Sequence, residues 1–327
     1  MSRAASLTTL WRILREVDLE AIRQEAVRPF RLAITGDDPR ANEHLARLLT
    51  DPETASLIHP WIRVVPPDQV LAHDIPADLV LVLLHRAPTP DDLEELWRRL
   101  GRVQMPRLVV LVGSGTPPAP TPPMPQDGKT RWVAVPQVDR NAVESPLAQA
   151  LIQTTPPHLL LSLARHLAGL RPAVFQHLIQ ETAQANATFA FSTGIAEVVP
   201  LLNVPLNVGD TLVLTKNQLV MAYKLALAAG KSGSPRELIG EILGVLGGGF
   251  LFRQIARELV GLVPVWGVLP KTAVAYAGTW AIGQAVLHWA TEGAPLPREQ
   301  LHRLYQEALE RGRAAAQALA QRVRSRR

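Results

Sequence analysis

Arg31-Leu32-Ala33-Ile34-Thr35-Gly36-Asp37-Asp38-Pro39-Arg40-Ala41-Asn42-Glu43 reads as a strand, a glycine, a turn and the start of a helix. This order repeats outward along the chain. Trp61–Val65 is a second strand, and Asp78-Leu79-Val80-Leu81-Val82-Leu83-Leu84 is a continuous apolar run, as expected of a central strand buried on both faces. Thr89-Pro90-Asp91-Asp92 then opens a helix: a hydroxyl N-cap, a proline suited to the first turn and acids that complement the helix dipole, with Gly101 to end it. Arg107–Val112 and Arg131–Val135 are further strands. Between them, Thr116–Gln126 has six prolines in eleven residues and is a loop. Strands alternating with helices predict a parallel, doubly wound α/β sheet over residues 29–155.

The turn at Gly36 stands where a phosphate-binding loop would stand. Such a loop needs the pattern G-x-x-x-x-G-K-[ST]: glycines for close backbone approach, a lysine for charge, a hydroxyl for magnesium. Gly36 fits, but the later positions are Ala41, Asn42 and Glu43. The carboxylate of Glu43, with Asp37 and Asp38 beside it, repels polyphosphate. No D-x-x-G follows the second strand, and Gly113-Ser114-Gly115-Thr116 stands where a guanine-reading N/T-K-x-D would be. The expectation is no nucleotide, no cofactor and no catalysis. The nine histidines show no metal-binding spacing, no G-x-S-x-G elbow is present, and Gly247-Gly248-Gly249 has helical flanks. Aromatic residues make up 5% and do not interleave with basic ones, so no nucleic-acid partner is expected.

After Pro156-Pro157 only helical patterns occur, near 158–169, 172–198, 210–229, 235–262, 271–292 and 297–323. Ser234-Pro235-Arg236-Glu237 is a capping box with proline at the first helical position, and Gly230 caps the helix before it. Gly240, Gly244 and Gly248 recur every four residues, as do Ala273, Ala277, Ala281 and Ala285. Rows of small residues let helix backbones approach closely. The stretch Gly261–Pro270 holds two prolines and two glycines between the rows. Residues 235–292 are therefore expected to form an antiparallel hairpin packed along these rows. Its apolar turn (Leu262, Val263, Trp266, Val268, Leu269) is expected to meet a membrane or a partner. Thr272–Thr291 carries no formal charge and is long enough to span a bilayer, but Gln284 and His288 interrupt it, and Glu241, Arg253, Arg257 and Glu258 mark its partner helix. Three readings stay open: the buried core of a soluble helical domain, peripheral or hairpin membrane association, and two true spans.

The chain's 327 residues favour two domains, and 47% apolar residues suffice for a buried core. The absence of cysteine excludes disulfides and thiolate chemistry. Leu7, Leu10, Trp11, Leu14, Val17, Ala21 and Ile22 recur at helical spacing and predict an amphipathic helix within residues 1–28; Arg12 and Arg15 break any signal-peptide core. The expected location is the cytoplasm, with association with the cytoplasmic membrane left open. The net charge of +5 sits wholly in residues 298–327, which hold eight arginines and three glutamates. Such a tail suits an anionic surface or a solvated helix end.

The second half resembles the YcjF-type domain of bacteria, a family of unknown function associated with small GTPase domains. The resemblance lies in Val199-Pro200, Pro205, Asp210, Gln218–Tyr223, Gly230, Glu241–Gly249, Gly261-Leu262-Val263-Pro264, Gly267 and Tyr276–Gly283. Residues 30–135 are then similar to the Era-like GTPase domain, in degenerate form. The resemblance implies membrane association and supplies no catalytic residue. The expected whole is a non-catalytic pseudo-GTPase (29–155) fused to a membrane-associated or partner-binding helical domain (156–327), with a protein partner or homo-oligomer. The alternatives are a nucleotide hydrolase with a non-standard phosphate loop and a soluble oligomerisation module.

Overall fold

The computed structural model describes residues 14–66, 76–85, 89, 91–92, 94–95, 98, 105–113, 128–198, 206–246 and 268–325. The chain divides into two compact units, one of Gln24–Val174 and one of the residues up to Arg23 with Phe175–Arg327.

The first unit is built on five parallel strands: β1 (Leu32–Gly36), β2 (Ile62–Val64), β3 (Leu79–Leu84), β4 (Arg107–Val112) and β5 (Thr130–Val135). Their order is β2-β1-β3-β4-β5, with Leu32 opposite Ile62 and Leu79, and Leu81 opposite Leu108. The continuous apolar runs of β3 and β4 occupy the centre because only strands covered on both faces can be apolar at every position. Ala33, Val80, Val82 and Val109 form the core on one face. On β1 and β2 packs a helix spanning Pro39–Thr50, whose Leu45, Ala46 and Leu49 are buried. The Asp78 carboxylate anchors the entry to β1, accepting from the Arg31 amide at 2.9 Å and the Arg28 guanidinium at 3.1 Å.

The expected helix at 158–169 is broken. A 3₁₀ turn at Pro157–Leu159 leads into Leu160–His166, and Leu167 is extended before a second 3₁₀ turn at Ala168–Leu170. The break lets Gly169 press onto the Pro39–Thr50 helix, where a Cβ would lie 2.5 Å from the Leu48 carbonyl oxygen. Arg171 bonds the freed carbonyls of Ala164 and Arg165 at 2.9 and 2.8 Å. The sheet's unit thus runs through Val174.

We label the helices in chain order: α1 (Leu19–Val27), α2 (Pro39–Thr50), α3 (Ala148–Thr154), α4 (Leu160–His166), α5 (Arg171–Val198), α6 (Leu206–Ala228), α7 (Pro235–Val245), α8 (Val268–Glu292) and α9 (Arg298–Arg324). The predicted amphipathic N-terminal segment is described only from Leu14; α1 begins at Leu19 behind Asp18, whose carboxylate accepts from the Ala21 amide. In the second unit α8 is the central element, packed by α6, α7 and α9. Of the uncharged stretch at 272–291, residues 272–283 are buried throughout, and Thr291 is exposed. Among the described residues no helix is long and apolar enough to cross a membrane.

At Gly240 and Gly244 the expected packing of the glycine row against the alanine row is absent. Gly240 and Gly244 are exposed, and a Cβ on either would meet nothing within 4 Å. α7 instead buries Leu238, Ile239, Ile242 and Leu243, the broad apolar side of the same helix. Gly248, Leu262, Val263 and Trp266 lie outside the described residues, as does the rest of 247–267 in the expected hairpin.

Candidate functional site

Open parallel sheets bind ligands at the carboxyl ends of the strands where the connections change direction. Here that point lies between β1 and β3, and the degenerate loop stands at it. β1 ends at Gly36 and α2 begins at Pro39, so only Asp37 and Asp38 intervene. The Asp38 side chain accepts from the amides of Arg40 and Ala41 at 2.8 and 3.3 Å. Those first-turn amides are the groups that a phosphate would use. Asp37 reaches across to the end of β3, accepting from the His85 amide at 2.9 Å and from His85 Nδ1 at 2.9 Å. A carboxylate thus joins the two strand ends, with the His85 amide and Nδ1 as the donors.

Beneath this link the packing is tight. A Cβ on Gly36 would lie 2.3 Å from the Leu83 carbonyl oxygen and 2.8 Å from Asn42 Oδ1. Glycine is required by this contact with the neighbouring strand. Asn42, at the lysine position, is buried, and its Nδ2 lies 3.5 Å from the Gly36 carbonyl oxygen. Ala41 is half-buried, while Glu43 faces solvent and pairs with Arg47 one turn on. The four predicted loop residues are therefore together, but none presents a cation or a hydroxyl to the crevice. His85 was not singled out in the sequence, because its partner is 48 residues away.

In the helical unit, Ala273, Ala277, Ala281 and Ala285 are all buried, as expected of a packing face. A second row, Ala308, Gly312 and Ala316 on α9, is buried too, and a Cβ on Gly312 would lie 2.5 Å from the Ala273 carbonyl oxygen. This four-residue spacing was visible in the sequence but hidden among the arginines of the tail. Of the predicted contact residues, Val268 opens α8 and Leu269 is exposed.

A buried polar network lies deeper. Thr279 Oγ1 accepts from Asn186 Nδ2 at 2.8 Å and Gln218 Nε2 at 3.1 Å, and donates to the Ala275 carbonyl at 2.8 Å. Asn186 Oδ1 accepts from Asn217 at 2.7 Å. α5, α6 and α8 are tied by it, and its members satisfy one another.

In the sheet unit, His59 and His166 lie with ring centroids 5.3 Å apart. Burial holds both imidazoles below their ordinary pKa, and the Arg171 cation acts on both in the same direction. His166 Nε2 donates to the Arg28 carbonyl at 3.1 Å, and the Trp61 amide donates to His59 Nδ1 at 3.3 Å. No group of three or more metal-ligating side chains occurs among the described residues. Compared with family models, curated proteins and solved structures, the chain shows no match.

Proposed function

We propose that the chain is a non-catalytic adaptor. Its sheet unit is a degenerate GTPase-like domain that binds no nucleotide, and its helical unit, similar to the YcjF type, meets a membrane surface or a protein partner on the cytoplasmic side. One observation carries the first half of this reading: Asp38 occupies the α2 amides while Asp37 joins the ends of β1 and β3 through His85. Two carboxylates at the crevice oppose a polyphosphate by charge, and the buried Asn42 supplies no counter-cation.

Titration with fluorescent GTP and ATP analogues, with and without magnesium, tests the reading. No saturation is expected at millimolar nucleotide. Saturable binding below about 10 μM, equivalent to about 7 kcal/mol, overturns it. For the helical unit, fractionation of the native cell with carbonate and detergent washes is expected to return the chain with the membranes; recovery wholly in the first supernatant overturns membrane association.

A further inference from the structure

The helical unit has two chemically different ends. α8 and α9 run antiparallel, with Ala273 in the first turns of α8 against Gly312 in the second half of α9. α6 runs in the direction of α8, since Gln218 meets Thr279 and Lys231 lies over the Trp289 ring. The first turns of α6 and α8 and the last turns of α9 therefore share one end. At about 1.5 Å per residue, Val323 projects about 16 Å beyond Gly312 along α9.

All the exposed large apolar side chains described in this unit are at that end: Leu212 and Val213 on α6, Leu269 on α8 and Val323 on α9. A groove of about 430 Å³ opens there between α8 and α9, with Leu269, Ala273, Leu309 and Ala316 in its walls and Arg313 at its rim. Arg322 and Arg324 flank Val323 and are exposed. Two acids with described side chains are paired: Glu310 with Arg313, and Glu16 with Lys216. Apolar side chains beside the exposed guanidinium groups of Arg322 and Arg324 match a bilayer interface with anionic headgroups, where side chains enter the headgroup layer and arginines meet phosphates.

We propose that this end of the helical unit, formed by the first turns of α6 and α8 and the last turns of α9, docks on an anionic lipid bilayer. The inference rests on the reading of the unit as membrane-associated and names the surface and the lipid class. Docking is peripheral, consistent with the lack of a spanning helix among the described residues.

The test uses the full chain and sedimentation with phosphatidylcholine vesicles, with and without phosphatidylglycerol. Binding at low salt is expected only with the anionic lipid. Arg322→Glu combined with Arg324→Glu is expected to reduce partitioning at least about tenfold. Arg236→Glu combined with Arg303→Glu makes the same charge change at exposed positions toward the opposite end, and should alter it less than about twofold. Leu269→Asp with Val323→Asp should lower binding at every salt concentration, with melting temperature measured alongside. The inference is overturned by no binding to phosphatidylglycerol vesicles, or by equal losses from the two arginine pairs. If the apolar pair melts early and the folded fraction binds normally, the groove belongs to the chain's own packing and the inference also fails. Recovery with native membranes but not with vesicles leaves the membrane reading standing and sinks the lipid surface.

Discussion

Two close backbone contacts, one in each unit, show how differently a glycine can be used. Gly36 sits against the β3 carbonyl of Leu83, and Gly312 sits against the α8 carbonyl of Ala273. Gly240 and Gly244, at the same four-residue spacing as the buried rows, touch nothing. Spacing therefore identifies a face of a helix, but the neighbour decides whether that face is filled. α7 has a broad apolar side to bury and turns its glycines outward; α9 is polar over most of its surface and its small row is what it can bury.

The sharpest test of this contrast is Gly312→Leu. A side chain there must displace α8 backbone, so a loss of about 3 kcal/mol or more is expected, read as a lower melting temperature of the full chain. An unchanged melt would mean that α8 and α9 do not approach as closely as the contact requires.

The next effect separates the units by pH. His59 and His166, both in the sheet unit, titrate below 6.5 when folded because burial and neighbouring cations oppose their protonation. As pH falls through about 6.5 the unfolded chain takes up protons that the folded chain refuses, so stability is full above this value and is lost on acidification. Asp51 and Asp139 are held below 3.8 and Glu237 below 4.5, chiefly by hydrogen bonds, and lose their contributions at lower pH still. Denaturant melts between about pH 7 and 5 should show falling stability. His59→Gln with His166→Gln should flatten the slope; an unaltered slope would place the pH dependence elsewhere.

The smallest effect has the opposite sign. Gly244→Ala replaces an exposed helical glycine with open space around it, and a gain of about 0.5–1 kcal/mol is expected from helix propensity. A loss on this substitution, seen in thermal melts, would show that the α7 glycine face is covered after all.

The strands were legible because β3, and β4 after Arg107, are apolar at every position, a pattern that few other elements produce. The start of α7 was legible because Ser234 and Glu237 cap each other within four residues, and both bonds are present. What escaped reading involves distant partners. Asp37 and His85 meet only once β1 and β3 pair. The break at Leu167 goes with the contact of Gly169 on α2, which is more than a hundred residues away in sequence. Thr279, Asn186 and Gln218 read as scattered polar residues until three helices bring them into one network. The missing cation of the loop was legible; the carboxylate link across it was not.

The short β2 strand has a consequence for solubility. A sheet edge invites another strand to add to it, and a three-residue edge offers too little length for a lasting pairing. At the other edge, β5 is preceded by Lys129 and carries Arg131, charges that discourage a second strand. The aggregation-prone sequence is Leu79–Leu84, kept between β1 and β4 in the native state. Losses to precipitation should thus arise during refolding, while Leu79–Leu84 is still unpaired, and the folded protein should tolerate concentration well.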